Sequence, residues 1–121
     1  MRIYIAHSSQ FPYQQALYAP IQTHLAKEHI FTLPHAEGTD TGNSKEIIEK
    51  CDLVIAEVSY PSTGMGIELG WAHAAGIPIV CIHRSDATPS SGLKHIASSN
   101  TPYKDAAELV ERIRNAAANA Q

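Results

Sequence analysis

Ten residues in the middle of the chain carry the densest set of groups able to do chemistry: "PSTGMGIELG", residues 61–70. Ser62 and Thr63 offer hydroxyls, Gly64 and Gly66 offer backbone that another molecule can approach closely, and Glu68 offers a carboxylate. The stretch follows the apolar run "DLVIAEV" (52–58), so the amides of residues 62–66 fall between a strand end and a helix start. Amides placed there form a small anion-binding nest, reinforced by the positive end of the helix. As a first-turn residue of that helix, Glu68 is favoured in its ionised form, which suits a nucleophile better than a general acid. Two simpler readings stand beside this one. Glu68 could be a capping carboxylate reaching back to an amide, and the glycines could merely shape a tight turn. The local pattern does not choose between them.

The surrounding elements must hold that turn in place. "RIYIA" (2–6) and "HIFTL" (29–33) are short and β-prone, while "DLVIAEV" and "IPIVCIH" (77–83) have the nearly continuous apolar character of strands covered on both faces. Leu17, Ile21 and Leu25 recur on one helix face within residues 12–27, with Pro20 as a bend or interruption. "SKEIIEKC" (44–51) predicts a short helix capped by Asn43 or Ser44, "GIELGWAHAAG" (66–76) a helix ended by Gly76, and residues 104–121 an amphipathic helix. A fifth strand, polar and weak, is expected around "HIASS" (95–99). This alternation predicts an α/β fold: a three-layer flavodoxin- or Rossmann-like domain with a four- or five-stranded parallel sheet. Ligands of such sheets sit outside the carboxyl ends of the strands. "HSSQF" (7–11), "SYPSTGMG" (59–66) and "HRSDATPSS" (83–91) meet there. No GxGxxG follows the first strand, so the expected ligand is smaller than a dinucleotide.

Composition narrows the rest. The 121 residues fit one domain, and at 44% hydrophobic and 17% charged they have the make-up of an ordinary folded protein. A net charge of −3 argues against a nucleic-acid polymer as partner but leaves a small phosphorylated metabolite open. The N-terminus turns polar too soon for a signal peptide, and no run is long enough to span a membrane. Cys51 and Cys81 sit in or beside apolar runs without metal spacing, and are expected as buried free thiols in a reducing cytoplasm. No cofactor or metal is implied.

Residues 51–84, "CDLVIAEVSYPSTGMGIELGWAHAAGIPIVCIHR", closely resemble the signature region of the nucleoside 2-deoxyribosyltransferase superfamily. They are most similar to its branch of 2′-deoxynucleoside 5′-phosphate N-hydrolases. The shared pattern is an Asp opening the strand, "AEV" closing it, then PSxGxGxELGxA, then a glycine before the next apolar strand. The resemblance implies Glu68 as the nucleophile that attacks the anomeric carbon of the sugar. It implies Ser62, with the amides of Gly64 and Gly66, as the contact to a 5′-phosphate. A carboxylate is sound for this chemistry, because breaking an N-glycosidic bond builds positive charge on C1′ and the ring oxygen. Water would complete hydrolysis of a nucleotide; a second base would complete deoxyribosyl transfer between bases. A serine at position 62 favours nucleotides, since an acidic residue there would repel phosphate. A small-molecule nucleotide or nucleoside and a homodimer or higher homo-oligomer are the partners it implies.

Two departures from the family pattern are visible. Ser44 stands where members carry an aspartate that orients the sugar, and Asp40 in the preceding loop is either its substitute or a solvated acid. The first loop lacks the family's glycine-rich, arginine-containing sequence, leaving Ser8 and Ser9 as hydrogen-bond donors and His7 as a donor or a half-buried ring. These departures also admit a sensor or accessory protein that binds a nucleotide without turning it over. Tyr4 and Tyr13 are candidates for a base pocket or a subunit boundary, and Trp71 for core packing or base stacking. Arg84 is either a charge across the crevice or solvent-facing, while Glu46 and Glu49 read as a solvated face. His73 points to another side of its helix from Glu68, and His24, His29, His35 and His95 carry no assignment.

Overall fold

The computed structural model describes residues 1–37 and 43–121. Five strands, β1 (Arg2–His7), β2 (Ile30–Thr32), β3 (Leu53–Glu57), β4 (Ile79–Arg84) and β5 (Ser99–Tyr103), form one sheet in the order β2-β1-β3-β4-β5. Every pairing is parallel. The helices are α1 (Ala19–His24), α2 (Ser44–Glu49), α3 (Thr63–Ala74) and α4 (Ala106–Ala120).

Strand alternation sorts the core onto two faces. Ile3, Ile5, Leu53, Ile55 and Ile82 pack with Leu17, Ile21 and Leu25 and with Leu109 and Ile113 of α4. Tyr4, Ala6, Val54, Ala56 and Cys81 pack on the other face with Ile48 of α2 and Met65, Leu69 and Ala72 of α3. The sheet is thus covered on both sides, which is why β3 reads as almost unbroken apolar sequence: all five of its residues are buried. Cys51 and Cys81 are free and buried, and burial pushes the Cys81 thiol up to about 11.

Three expectations shift. The helix carrying Glu68 begins at Thr63 rather than at Gly66, because Ser62 caps it: the Ser62 hydroxyl accepts from the Met65 amide at 3.3 Å. The fifth strand lies at Ser99–Tyr103, not at 95–99; Leu93, Ile96 and Ala97 instead pack against the sheet from a 3₁₀ turn, Ser91–His95, and the segment after it. Pro102 hid that strand from a sequence reading, and it is tolerated because β5 is an edge. Pro20 interrupts nothing downstream, since it lies in the first turn of α1, directly after a π-helical turn at Gln14–Tyr18.

Gly76 ends α3 as the sequence suggests. Its amide donates to the His73 carbonyl at 3.1 Å and the Ile77 amide donates to Ala72 at 2.9 Å, the paired bonds of a Schellman closure. Gly76 has φ +74°, a conformation that costs a side-chain-bearing residue about 1–2 kcal/mol. Gly76→Ala should therefore lower the unfolding free energy by that amount in urea titration, with the slope unchanged.

Candidate active site

The order β2-β1-β3-β4-β5 makes the chain leave β1 toward one side and return to its other side. The carboxyl ends of β1 and β3 therefore flank a switch point, where open parallel sheets leave a crevice. His7 and Glu57, the last residues of those strands, are register partners there. A crevice of about 380 Å³ opens beside them, lined by His7, Ser9, His35 and Ser44 and, along α3, by Ser62, Gly64, Ile67, Glu68 and Trp71.

Glu68 is half-buried in this crevice. It is the sixth residue of α3 and so lies in the second turn, beyond the place where a capping role or the helix N-terminus would govern it. Its environment differs from the first-turn expectation accordingly. Burial pushes its carboxyl above the usual range, while the Tyr4 hydroxyl, which donates to Oε2, pulls it partly back; the nearby His35 acts in the same downward direction. Tyr4 comes from the buried interior of β1, on the face that α3 covers, and its hydroxyl also hydrogen-bonds Ser44. Burial and the neighbouring carboxylate push the Tyr4 phenol upward, so it remains a donor.

At the start of α3 the anion nest is smaller than the glycines suggest. The Met65 amide is held by the Ser62 hydroxyl, and the Gly66 amide by the Ser62 carbonyl at 3.0 Å. The first two amides of the helix, those of Thr63 and Gly64, are the donors that lack intrahelical partners. Neither Gly64 nor Gly66 has positive φ. A Cβ at Gly66 would meet nothing within 4 Å, and one at Gly64 only the Ser62 hydroxyl at 3.9 Å. Nothing in the described chain requires these glycines, so a tight turn does not explain them. Gly66 lies not in the Glu68 crevice but in a neighbouring hollow with Pro61, Leu69 and Leu93, which Ser62 and Met65 separate from it.

The first loop supplies a fixed imidazole. His7 Nδ1 donates to the Ser8 carbonyl at 2.7 Å, so Nε2 accepts from the Tyr18 hydroxyl at 2.6 Å. Tyr18 in turn accepts from the His35 amide at 2.9 Å. Burial pushes His7 below its usual range, in keeping with a neutral ring. Ser9 reaches the crevice, whereas Ser8 is buried with its hydroxyl accepting from the Gln10 amide at 3.1 Å. Tyr13 packs on the His7 ring at 4.7 Å between centroids. Trp71 is half-buried and lines the crevice as well as touching the core. Arg84 is drawn away to Tyr60 and Asp86, each at 3.0 Å. Asp40 falls outside the described residues.

The spacing did not single out Glu57 or His35. Glu57 is 1% exposed and accepts from the Ser59 amide at 2.6 Å, from the Ser59 hydroxyl at 3.0 Å and from the Tyr103 hydroxyl. It thereby fastens the start of the loop that leads to Ser62. The acidic residue closing an otherwise apolar run was the available signal. His35 gave none, because only the fold brings the turn after β2 beside β1. Among the described residues no group of three or more His, Cys, Asp or Glu is placed to hold a metal ion, and no helix is long and apolar enough to cross a membrane.

Known proteins share this family pattern and this fold. The family model described as nucleoside 2-deoxyribosyltransferase matches residues 3–102. The 5-hydroxymethyl-dUMP N-hydrolase of Rattus norvegicus is 49% identical over 45 residues, which are 37% of this chain and 25% of the relative. The enzyme of the same name from Mus musculus is 49% identical over 45 residues, 37% of this chain and 24% of the relative. The match thus spans about a quarter of these relatives' length. The structure of the Clostridium botulinum CMP N-glycosidase BcmB superposes with a TM-score of 0.68 at 22% identity, covering 94% of this chain and 99% of that one. A conserved protein from Enterococcus faecalis V583 gives a TM-score of 0.61 at 18% identity, over 96% and 98% of the two chains. With a switch-point crevice, the PSxGxGxELGxA helix and a family match over 100 consecutive residues, this chain belongs to the nucleoside 2-deoxyribosyltransferase family.

Proposed function

We propose that the protein hydrolyses the N-glycosidic bond of a nucleoside or deoxynucleoside 5′-monophosphate, with Glu68 as nucleophile and the start of α3 as phosphate site. The observation that carries this reading is the Glu68 carboxylate, half-buried and gripped by Tyr4, in the same crevice as Ser62 and Gly64. Six residues separate Ser62 from Glu68, roughly 9 Å along the helix axis. A pentose bearing a 5′-phosphate spans that interval, with its anionic end on the free amides and its C1′ toward the carboxylate. The matched segment of the rodent relatives, whose names specify hydrolysis of a nucleoside monophosphate, supports the same substrate class.

In this scheme Glu68 bonds to C1′ as the base departs, and water then cleaves the ester to release the sugar phosphate. Tyr4 orients the carboxylate. Ser44, at the start of α2, and Ser9 contribute hydroxyls to the crevice, and Asp40 is the acid assigned to the sugar. The chain acts in the cytoplasm as a homodimer or a multiple of one. Ile67, 50% exposed beside Glu68, is part of the surface a second subunit would cover.

Common ribo- and deoxyribonucleotides and their nucleosides, incubated with the protein, should release free base from a monophosphate. Glu68→Gln should lower kcat on the order of 10³-fold or more. Full turnover in that variant would remove Glu68 from the role. Because the nucleophile must be ionised and burial raises its pKa, activity should have an acid limb set by Glu68. It should fall, as pH drops, through a midpoint above the ordinary 4.5 of a glutamate. Tyr4→Phe removes the donor that favours the ionised form, so its acid limb should move to still higher pH; an unmoved limb would separate Tyr4 from Glu68. Light scattering should give at least twice the chain mass at working concentration.

A further inference from the structure

The geometry points to His35 as the group that donates a proton to the departing base and later takes one from the attacking water. This assignment deepens the N-glycosidase reading and rests on it. A nucleobase leaves C1′ carrying an electron pair on nitrogen, and a positioned acid that protonates it is typically worth 10²–10⁴ in rate. Glu68, His7 and His35 line the described crevice, and the buried Tyr4 bonds to Glu68, so four groups able to carry a proton come into question.

Three of them are committed. Glu68 is the nucleophile. The Tyr4 hydroxyl is spent on Glu68 and Ser44, and its phenol is held protonated by burial. Both His7 nitrogens are occupied, Nδ1 by the Ser8 carbonyl and Nε2 by the Tyr18 hydroxyl. His35 differs. It is exposed and lines the crevice, and the anchoring contact from its residue to Tyr18 is made by the backbone amide rather than the ring. The ring packs at 5.3 Å on His7 and 5.7 Å on Tyr13, so it is steered at the crevice wall that His35 helps to form. His35 and Glu68 both line the one crevice. Imidazole is also the side chain suited to giving and taking a proton near neutral pH.

The steps balance. In the first, the C1′–N bond breaks with its electrons going to the base, the imidazolium N–H proton moves to that base, and a Glu68 oxygen bonds to C1′. In the second, water attacks C1′, the ester electrons return to Glu68, and the proton lost by water restores the imidazolium. The products are free base and sugar 5-phosphate.

The test compares two leaving groups. His35→Gln is assayed on the fastest natural nucleotide and on the matching p-nitrophenyl pentoside 5-phosphate, whose nitrophenolate departs without protonation. Nucleotide hydrolysis should fall about 10²–10⁴-fold while nitrophenol release changes by less than about tenfold. Asp40→Asn should not show this leaving-group dependence. Equal loss on both substrates, no loss on either, or the selective loss appearing in Asp40→Asn instead, would overturn the assignment while leaving Glu68 in place. Wild-type protein that releases nitrophenol but cleaves no nucleotide would also overturn it. If wild-type protein cleaves neither, the N-glycosidase reading itself falls.

Discussion

The hydrogen bond from Tyr4 to Glu68 ties an interior strand of the sheet to the helix that covers it, and the site's geometry follows from that tie. A carboxylate withdrawn from water needs donors, and a phenol rooted in β1 cannot swing away from it. The placement requires β1 and β3 to be adjacent, α3 to cross the face where Tyr4 emerges, and Tyr4 to occupy one of the alternate positions of β1 that point to that face. A one-residue slip of β1 would turn Tyr4 toward α1 and α4 and leave Glu68 without its phenol. The parallel register is therefore a condition of the chemistry as well as of the core.

A second buried carboxylate does complementary work at the other side of β3. Glu57 has no cationic partner among its described contacts; three donors from Ser59 and Tyr103 satisfy it instead. Ser59 also accepts from the Arg84 amide at 2.8 Å, so the carboxyl ends of β3, β4 and β5 are laced through one serine. The segment that leaves this knot is the one that delivers Ser62 to the start of α3. Residues 57 and 68 are thus both glutamates of the "AEV…ELG" pattern, one fixing the frame and the other facing the crevice.

Much of this was legible in the sequence because it rests on local rules. Unbroken apolar runs marked β3 and β4, a 3.6-residue period marked the helices, and the alternation of the two fixed the layers. The offset between Ser62 and Glu68 survives folding because one helix carries both. What escaped was non-local. Nothing near His35 in the chain announces His7 or Glu68, since the contact forms only when β2 docks beside β1. The ionisation of Glu68 was misjudged because a three-residue error in the helix start moved it from the first turn to the second. Composition likewise concealed β5, where an edge position excuses a proline that an inner strand would reject.

That proline has a consequence for how the molecule behaves in a crowd. A parallel sheet with two open edges is a template for strand addition, the route to fibrils and disordered aggregates. Here one edge, β2, is only three residues long, and the other, β5, carries Pro102, which has no N–H to offer an incoming strand. Neither border can extend a regular ladder far. Edge-to-edge growth of the sheet is therefore disfavoured at both borders.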